Sequence, residues 1–569
     1  MPPEDVSTHL ELEELNGRMK ELERRLSALE HPSQTQPLEP EPPAPPVTAD
    51  LSAGLVDQAR PGVLSIFGRA VLGIAGAYVL RAAGESKVCP SWIAVTLALV
   101  YAAAWLAWAA WPGAQSQLAR YSYAITAALI LSPLLWEATV RFQMIDPPTT
   151  AAALTAFAVL AMILAWRSNV SVVLWIGVLT AAVTGLVLMV ATRALVPFTL
   201  SLLVIAFSIE FAAIRGHWLA LRPFVAAAAD FSALMLIIIL GDSGAIPQAY
   251  QPVDARLLTA SVAALVAIYA LSLAARSLIL RLQVTVFEAT QLAASVLLAG
   301  WAALRVTHGT GQFALGACYL VGGAAFYFAA FGLLARHRER PNFHFYSICG
   351  LVFVMAGSFF AIPTEPLVIW LCLAAVIATG LGVHGRSPAL DLHGVVYLSG
   401  VVVASGLLGY AGRALARSYP PPPGALPIAA TVAALVCAAI VSGYPGEHLA
   451  EQLLRLLPAI LAVYATAALA VAALVWLIAR GAEPALPQLA VIRTIVTCAV
   501  ALFLAFVGAR RKRLELVWMA YAAAVLGSLK LAFEDLRFGN TQSLAASLLI
   551  YGAVLILIPR LVRAGKRWA

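Results

Sequence analysis

The strongest constraint on this chain is a succession of apolar segments, each long enough to cross a lipid bilayer, which begins near residue 63 and continues almost to the end. A transmembrane helix needs roughly 20 mostly apolar residues, because the hydrocarbon core is about 30 Å thick and a helix rises about 1.5 Å per residue. By this criterion the chain contains about 18 spans. They lie at residues 63–80, 91–111, 121–140, 149–166, 170–192, 195–214, 223–240, 257–275, 284–304, 313–335, 343–362, 366–383, 390–411, 426–443, 456–479, 488–508, 514–533 and 543–559. The sequence therefore predicts an all-α fold, a polytopic transmembrane helix bundle over residues 61–569.

Composition and loop length support this fold class. Apolar residues make up 61% of the chain and charged residues 12%, against about half and about a quarter in soluble domains. A transmembrane β-barrel is excluded, because the segments are about twice the length of a barrel strand and do not alternate in polarity. No loop between spans reaches the roughly 50 residues that a folded domain needs. Any transport or chemistry is therefore carried by intramembrane side chains or by short loops, and the lipid bilayer is the expected partner.

Two regions precede the bundle. Residues 1–30 are predicted to form a cytoplasmic, coiled-coil-like helix, because apolar residues recur at alternating steps of three and four. These residues are Leu12, Leu15, Met19, Leu22, Leu26 and Leu29. Residues 10–30 then either self-associate or bind a partner helix, or they form a solvated or membrane-resting helix whose periodicity is incidental. Residues 31–60 are rich in proline and predict a disordered linker. The basic and apolar regions of a cleaved signal peptide are not seen.

The distribution of arginine predicts the orientation. The most basic loops, 215–222, 276–281, 336–340 and 510–513, fall on one side of the membrane if the N-terminus is cytoplasmic. Cytoplasmic loops are enriched in Lys and Arg, so both termini are predicted to be cytoplasmic. The loop that holds Arg413 and Arg417 is an exception. The same enrichment accounts for the formal net charge of +8, so no nucleic-acid partner is expected.

Two terminal stretches carry a resemblance to a known family. Residues 68–82 read GRAVLGIAGAYVLRA, and residues 529–537 read LKLAFEDLR. Together with the N-terminal helical arm and the Pro-rich linker, they make the chain resemble the bacterial membrane-protein family known as domain of unknown function 2339 (DUF2339). The motifs cover only the two ends, whereas the architectural likeness covers nearly the whole chain. The resemblance implies a bacterial cytoplasmic (inner) membrane protein and implies no activity.

Charged residues inside membrane spans are rare and are default candidates for function. Asp230 lies within the segment 223–240, and Glu288 lies near the start of 284–304 with Gln291 three residues later on the same helix face. Carboxylates at this depth can bind a cation or carry a proton. The alternative is a structural hydrogen bond or a salt bridge to Arg305, Arg493 or Lys530.

A charged cassette near the C-terminus is the first choice for a binding site. It comprises Lys530, Glu534, Asp535 and Arg537, and it coincides with the second family-like stretch. Lys530 precedes Glu534 by four residues, so the two side chains can meet on one helix face. The cassette is predicted to lie at the outer membrane face, where it can recognise a phosphate or carboxylate group. The alternative is a network that fixes the last pair of helices.

Three further charges are weighed in the same way. Arg69 lies in the first segment among small residues, where it either meets an anion or carboxylate deep in the bundle or extends back to the interface. Glu137 and Glu210 lie near the ends of their segments. Each is followed by an arginine, Arg141 or Arg215, at a spacing that favours an interfacial ion pair.

No motif of a known catalytic or cofactor site is found, so catalytic residues are unknown and neither a metal nor a cofactor is predicted. Asp391 and His393 have no third metal ligand nearby, and the six cysteines are scattered. Three functions remain open. The favoured one is an envelope-related transporter or flippase-like protein, although no inverted repeat and no paired broken helices are seen. The others are a scaffold that recruits a partner through its N-terminal helix and a membrane-embedded transferase acting on lipid-linked substrates.

Overall fold

The computed structural model describes residues 20, 66, 68–76, 90–111, 117–241, 247–250, 252–337, 341–385, 387–417, 422–442, 449–479, 485–511, 513–538 and 540–567. Contacts divide the chain into two units, Met1–Arg69 and Ala70–Ala569, and the second contains the helices of the bundle. The predicted N-terminal helix and Pro-rich linker lie outside the described residues, apart from Lys20, which is helical.

Described residues of the second unit form helices joined by turns and short loops, without a β-strand among them. Their helices, in chain order, are α1 Ser91–Ala109, α2 Gln117–Trp136, α3 Pro147–Ser168, α4 Ser171–Thr192, α5 Leu195–Ile214, α6 Arg222–Leu240, α7 Ala255–Ala274, α8 Val286–Val306, α9 Gln312–Tyr327, α10 Pro341–Ala361, α11 Thr364–His384, α12 Pro388–Ala404, α13 Leu407–Gly412, α14 Ala425–Ser442, α15 Leu449–Ala479, α16 Leu486–Arg510, α17 Leu514–Lys530 and α18 Thr541–Arg567.

The predicted fold class is confirmed. Within the described ranges, 16 helical stretches are long and apolar enough to cross a membrane, and α12 with α13 raises the number to 17 if the bent pair is one span. Each coincides with a predicted segment. The remaining predicted segment, 63–80, lies mostly outside the described residues, although its residues 68–76 are helical. The protein is an all-α, multi-pass membrane protein.

The outer surface of the bundle is apolar. Large hydrophobic side chains such as Leu271 and Val286 are 69% and 81% exposed. Contiguous apolar surface of this kind is rare on soluble monomers. In a bilayer it faces hydrocarbon, while the backbone polar groups are satisfied inside each helix. The lipid bilayer is thus the environment that this surface fits.

Glycines allow α9 and α10 to approach closely. Gly316 and Gly323 on α9 face Gly350 and Gly357 on α10, each pair seven residues apart. A Cβ atom on Gly316 would lie 2.6 Å from the backbone nitrogen of Ala361, and one on Gly357 would lie 2.8 Å from the Gly316 carbonyl oxygen. Small residues at such crossings let van der Waals packing hold membrane helices together.

Several spans end in a π-helical turn, in which each backbone hydrogen bond joins residues five apart instead of four. These turns are Glu137–Arg141, Ala275–Ile279, Phe328–Leu333, Arg413–Arg417 and Leu531–Asp535. Because the repeat changes, side chains five residues apart come together on one face. Two of these turns carry charges of the sites described below.

The predicted segment 390–411 is a bent helix and not a continuous one. The axes of α12 and α13 make an angle of 67°. The break falls at Gly406, whose φ of +68° is a left-handed conformation that glycine adopts without strain. The amides at the break still donate, Ser405 N to the Val401 oxygen at 2.9 Å and Gly406 N to the Val403 oxygen at 3.2 Å. Ser405 and Leu407 are buried, and a helix break at membrane depth is tolerated where it is buried in protein or lines a cavity.

Candidate functional site

Four charged residues meet at one membrane face. Glu210 lies in the last turns of α5 and Arg222 opens α6, whereas Arg276 lies in the π turn after α7 and Glu288 lies near the start of α8. Because α5–α6 and α7–α8 are hairpins with short loops, all four helix ends lie on the same side. We call Glu210, Arg222, Arg276 and Glu288 the arginine–glutamate cluster.

The cluster is a continuous chain of ion pairs. Arg222 donates from Nε and Nη2 to the Glu210 carboxylate at 2.9 and 2.8 Å, and from Nη1 to Glu288 Oε1 at 3.1 Å. Arg276 Nε donates to the same Glu288 oxygen at 2.6 Å. No side chain of the four is more than 7% exposed. Two positive charges balance two negative charges, so the cluster is neutral.

Further hydrogen bonds hold the charged groups in place. The Ser272 hydroxyl donates to Glu210 Oε2 at 2.5 Å, and Arg276 Nη1 donates to a main-chain carbonyl of α5 at 2.6 Å. The backbone amide of Thr285 donates to Glu288 at 2.9 Å, as part of the capping box that begins α8. Buried ion pairs are tolerated when their geometry is good and additional hydrogen bonds are made, and the cluster meets both conditions.

Two predicted sets of partners are wrong. Glu210 does not pair with Arg215, whose guanidinium lies over the Phe211 ring at 4.5 Å. Glu288 has Arg222 and Arg276 as its cationic partners. None of the three predicted partners, Arg305, Arg493 and Lys530, pairs with it in the described part of the chain. The physical reason is that the short hairpins return Arg222 and Arg276 to the face where the glutamates lie.

Asp230 and Gln291 contact each other deeper in the membrane than the arginine–glutamate cluster. Gln291 Nε2 donates to both carboxylate oxygens of Asp230 at 2.9 Å. Asp230 is eight residues after Arg222 on α6, about 12 Å along the helix axis. It therefore lies near the middle of the span. Within the described residues it forms no ion pair, so Asp230 is a half-buried carboxylate with an amide as its hydrogen-bonding partner.

The Asp230–Gln291 pair can hold a proton. An ionised Asp230 accepts from the amide NH₂, and a protonated Asp230 donates to the amide oxygen once the amide has turned over. A hard cation such as Ca²⁺ would need six to eight oxygen ligands. No group of three metal-ligating side chains occurs among the described residues. The chemistry of this site therefore fits a proton better than a metal ion.

Three residues of the C-terminal cassette, Lys530, Glu534 and Asp535, form a second network with Arg493 of α16. Lys530 Nζ lies 2.5 Å from Asp535 Oδ2 and 3.9 Å from Glu534 Oε2. Arg493 Nη1 lies 2.5 Å from Glu534 Oε1. Lys530 thus meets Asp535 more closely than the predicted Glu534, because the π turn Leu531–Asp535 brings the fifth residue onto its face.

This second network links the last helices to one another. Asp535 is 1% exposed in its side chain and accepts from Ser547 of α18 at 2.9 Å. Lys530 Nζ donates to the Thr494 hydroxyl of α16 at 2.5 Å, and Arg493 Nε donates to the main-chain oxygen of Ala414, after α13, at 2.7 Å. The donors of both cations are directed at protein oxygens. This geometry favours the structural alternative for the cassette, and recognition of an anion there stays a prediction.

The other candidates are dispersed. Arg69 is helical and exposed, and Arg537 is exposed one turn beyond the second network. Arg141 lies 3.9 Å from Glu137, at the limit of an ion pair. His393 Nε2 lies 3.1 Å from the main-chain oxygen of Ser347, in keeping with a buried packing role.

Arg222 and Arg276 are the site residues that the sequence reasoning missed. In the sequence, Arg222 and Arg276 stand out only as loop arginines that indicate the orientation. One signal was available: each borders an apolar segment at the face where Glu210 and Glu288 lie. A buried carboxylate near a helix end needs a cation at the same depth, so these arginines were the nearest candidates along the chain.

No protein-family model matches the chain, and neither a curated protein sequence nor a solved structure matches it.

Proposed function

We propose that the protein is an envelope-related transporter or flippase-like protein, energised by a proton that binds at Asp230. The observation that carries this proposal is the position of Asp230, a carboxylate near the middle of a span that pairs with the Gln291 amide and, within the described residues, with no cation. Ionisable residues at this depth are costly and mark ion or proton pathways. Binding and release of one proton there changes the charge of the membrane interior by one unit.

The neighbouring arginine–glutamate cluster supports a division of roles. Its four charges cancel and its carboxylates are hydrogen-bonded, so Glu210 and Glu288 serve to fix the ends of α5 to α8. Glu288 is therefore proposed as a positioning residue. Asp230, the other carboxylate predicted to bind an ion or a proton, is proposed to carry that role alone. Because the cluster holds these helix ends together, a change in the protonation of Asp230 can move whole helices instead of only the side chains around it.

The broken helix α12–α13 supports transport as well. Transporters build sites from discontinuous helices, whose freed backbone groups line a cavity. The span formed by α12 and α13 is discontinuous at Ser405 and Gly406, with a bend of 67° between its two parts. A scaffold has no need of an interrupted span, because a continuous helix anchors equally well.

We further propose that this is a bacterial inner-membrane protein of the DUF2339 family with both termini in the cytoplasm. The two terminal motifs and the basic loops support these assignments. In that orientation the arginine–glutamate cluster lies at the cytoplasmic face, and the second network, around Lys530, lies at the opposite face.

Complementation of a deletion strain, scored on envelope integrity, tests the function. Asp230→Asn should fail and Asp230→Glu should restore part of the activity, at matched membrane abundance. Glu365→Gln removes an exposed carboxylate at the start of α11 and should behave as the wild type. Full activity of Asp230→Asn would overturn the proposal.

A further variant separates the competing functions. A chain lacking residues 1–50 should remain active if the bundle carries the activity. If this deletion fails while Asp230→Asn succeeds, the protein acts through a partner of its N-terminal helix and the scaffold function replaces transport. If only Lys530→Ala with Arg537→Ala fails, the C-terminal cassette carries the chemistry instead.

A further inference from the structure

A groove opens between α14, α15, α16 and α17, away from the two charge networks. It has a volume of about 640 Å³, within the roughly 300–1,000 Å³ of ligand pockets in proteins. Apolar side chains line most of it, including Leu435, Val463, Phe503 and Val507. Polar residues are concentrated at one end, where α14 and α16 finish and α17 begins.

The groove has the depth of one membrane leaflet. Its α16 wall runs from Val500 to Arg510 and its α15 wall from Leu456 to Thr466. Ten residues of helix extend about 15 Å, which is half of the roughly 30 Å hydrocarbon core. An apolar groove of this length, open on the lipid-facing side of a bundle, accommodates an acyl chain of the adjacent leaflet.

Three arginines and one glutamate stand at the mouth of the groove. They are Arg510, Arg511, Arg513 and Glu515, and three positive charges against one negative charge leave a net charge of +2. Arg513 lies 3.6 Å from Glu515, and Arg511 donates one hydrogen bond, at 3.2 Å, to the Ser442 hydroxyl. A guanidinium carries five N–H donors, so Arg511 keeps donors available for another acceptor. Arg510 is exposed, and its guanidinium forms no ion pair or hydrogen bond within the described residues.

We propose that this groove binds an anionic phospholipid, with one acyl chain between α14 and α17 and the headgroup phosphate at Arg510 and Arg511. Charge complementarity selects the occupant, because basic pockets between transmembrane helices bind anionic headgroups and guanidinium matches the geometry of phosphate. The apolar wall excludes free phosphate as a sufficient ligand. This inference is independent of the proton site at Asp230.

Native mass spectrometry of the full-length protein in detergent tests the site, with phosphatidylglycerol and phosphatidylcholine of the same acyl chains as probes. The wild type should bind one phosphatidylglycerol in preference to phosphatidylcholine. Arg510→Gln with Arg511→Gln should reduce that preference about 25-fold, taking roughly fivefold for each surface cation. Ala439→Trp places a large side chain in the groove, since Ala439 is exposed and lines it, and should abolish binding with all arginines present.

A matched control removes the same charge elsewhere on the same face. Arg560→Gln with Arg563→Gln changes two exposed arginines of α18 that do not line the groove, and it should leave the preference intact. Equal loss in both double variants would show diffuse surface attraction and overturn the proposal. It would also be overturned if phosphatidylcholine bound equally well, if inorganic phosphate displaced the lipid, or if a second protein copy occupied the groove.

Discussion

Replacing Arg222 with methionine should destabilise the bundle by about 3–5 kcal/mol, the usual cost of removing one partner from a buried ion pair. Arg222 makes three hydrogen bonds, of 2.8, 2.9 and 3.2 Å, to Glu210 and one to Glu288. After the substitution Glu288 keeps Arg276 at 2.6 Å. Glu210 keeps only neutral donors and becomes an uncompensated charge, 4% exposed in its side chain.

The double variant Glu210→Met with Arg222→Met distinguishes this reasoning from a simple loss of packing. It removes both members of one pair and leaves the neutral pair of Glu288 and Arg276 in place. Well-packed apolar replacements of a whole buried pair are often neutral or stabilising. The double variant should therefore cost at least about 2 kcal/mol less than Arg222→Met alone.

The free energy of unfolding can be measured by titrating the protein in mixed micelles with sodium dodecyl sulfate and following circular dichroism. Arg141→Met is a suitable control, because Arg141 is 62% exposed and lies 3.9 Å from Glu137. Its cost should stay below about 1 kcal/mol. If Arg222→Met costs no more than this control, or if the double variant costs as much as Arg222→Met alone, the cluster does not form as described.

Gly357→Leu should force α9 and α10 apart and cost about 3 kcal/mol by the same titration, because the Gly316 carbonyl oxygen lies 2.8 Å from the position of the new Cβ. Gly409→Leu, with nothing within 4 Å of its Cβ, is the matched control and should cost less than about 1 kcal/mol; equal costs would contradict the helix crossing. Asp535→Asn should cost about 3 kcal/mol, since it removes a buried partner of Lys530. Arg537→Gln should cost below about 0.5 kcal/mol because the side chain is exposed. If Arg537→Gln costs more than Asp535→Asn, the exposed Arg537 contributes more to stability than the buried Asp535.

Span positions follow from the sequence because the length and polarity of an apolar run are local properties. The segment 170–192, for example, matches α4, Ser171–Thr192. The bend at Gly406 was missed, since a glycine in an apolar run is equally compatible with a straight helix. The glycine contact between α9 and α10 was missed for a related reason, because sequence spacing does not show which helices are neighbours.

Charge partners depend on tertiary structure and are harder to predict. Glu288 pairs with Arg222, 66 residues away, through the adjacency of α6 and α8. The sequence identifies Asp230 and Gln291 as candidate residues, but it does not predict the contact between them across 61 residues. At Lys530 the π turn shifted the partner from the fourth to the fifth residue, which a regular helical period does not predict.

Infrared titration of the purified protein in lipid can detect proton binding at Asp230. A protonated carboxyl group has a carbonyl band that an ionised carboxylate lacks. All 29 Asp and Glu residues can contribute to this band at acid pH, so the test is the difference between the two proteins. The spectra of the wild type should contain one titrating carbonyl band more than those of Asp230→Asn, a variant of unchanged size-exclusion profile. An identical set of titrating bands in both proteins would show that Asp230 does not bind a proton.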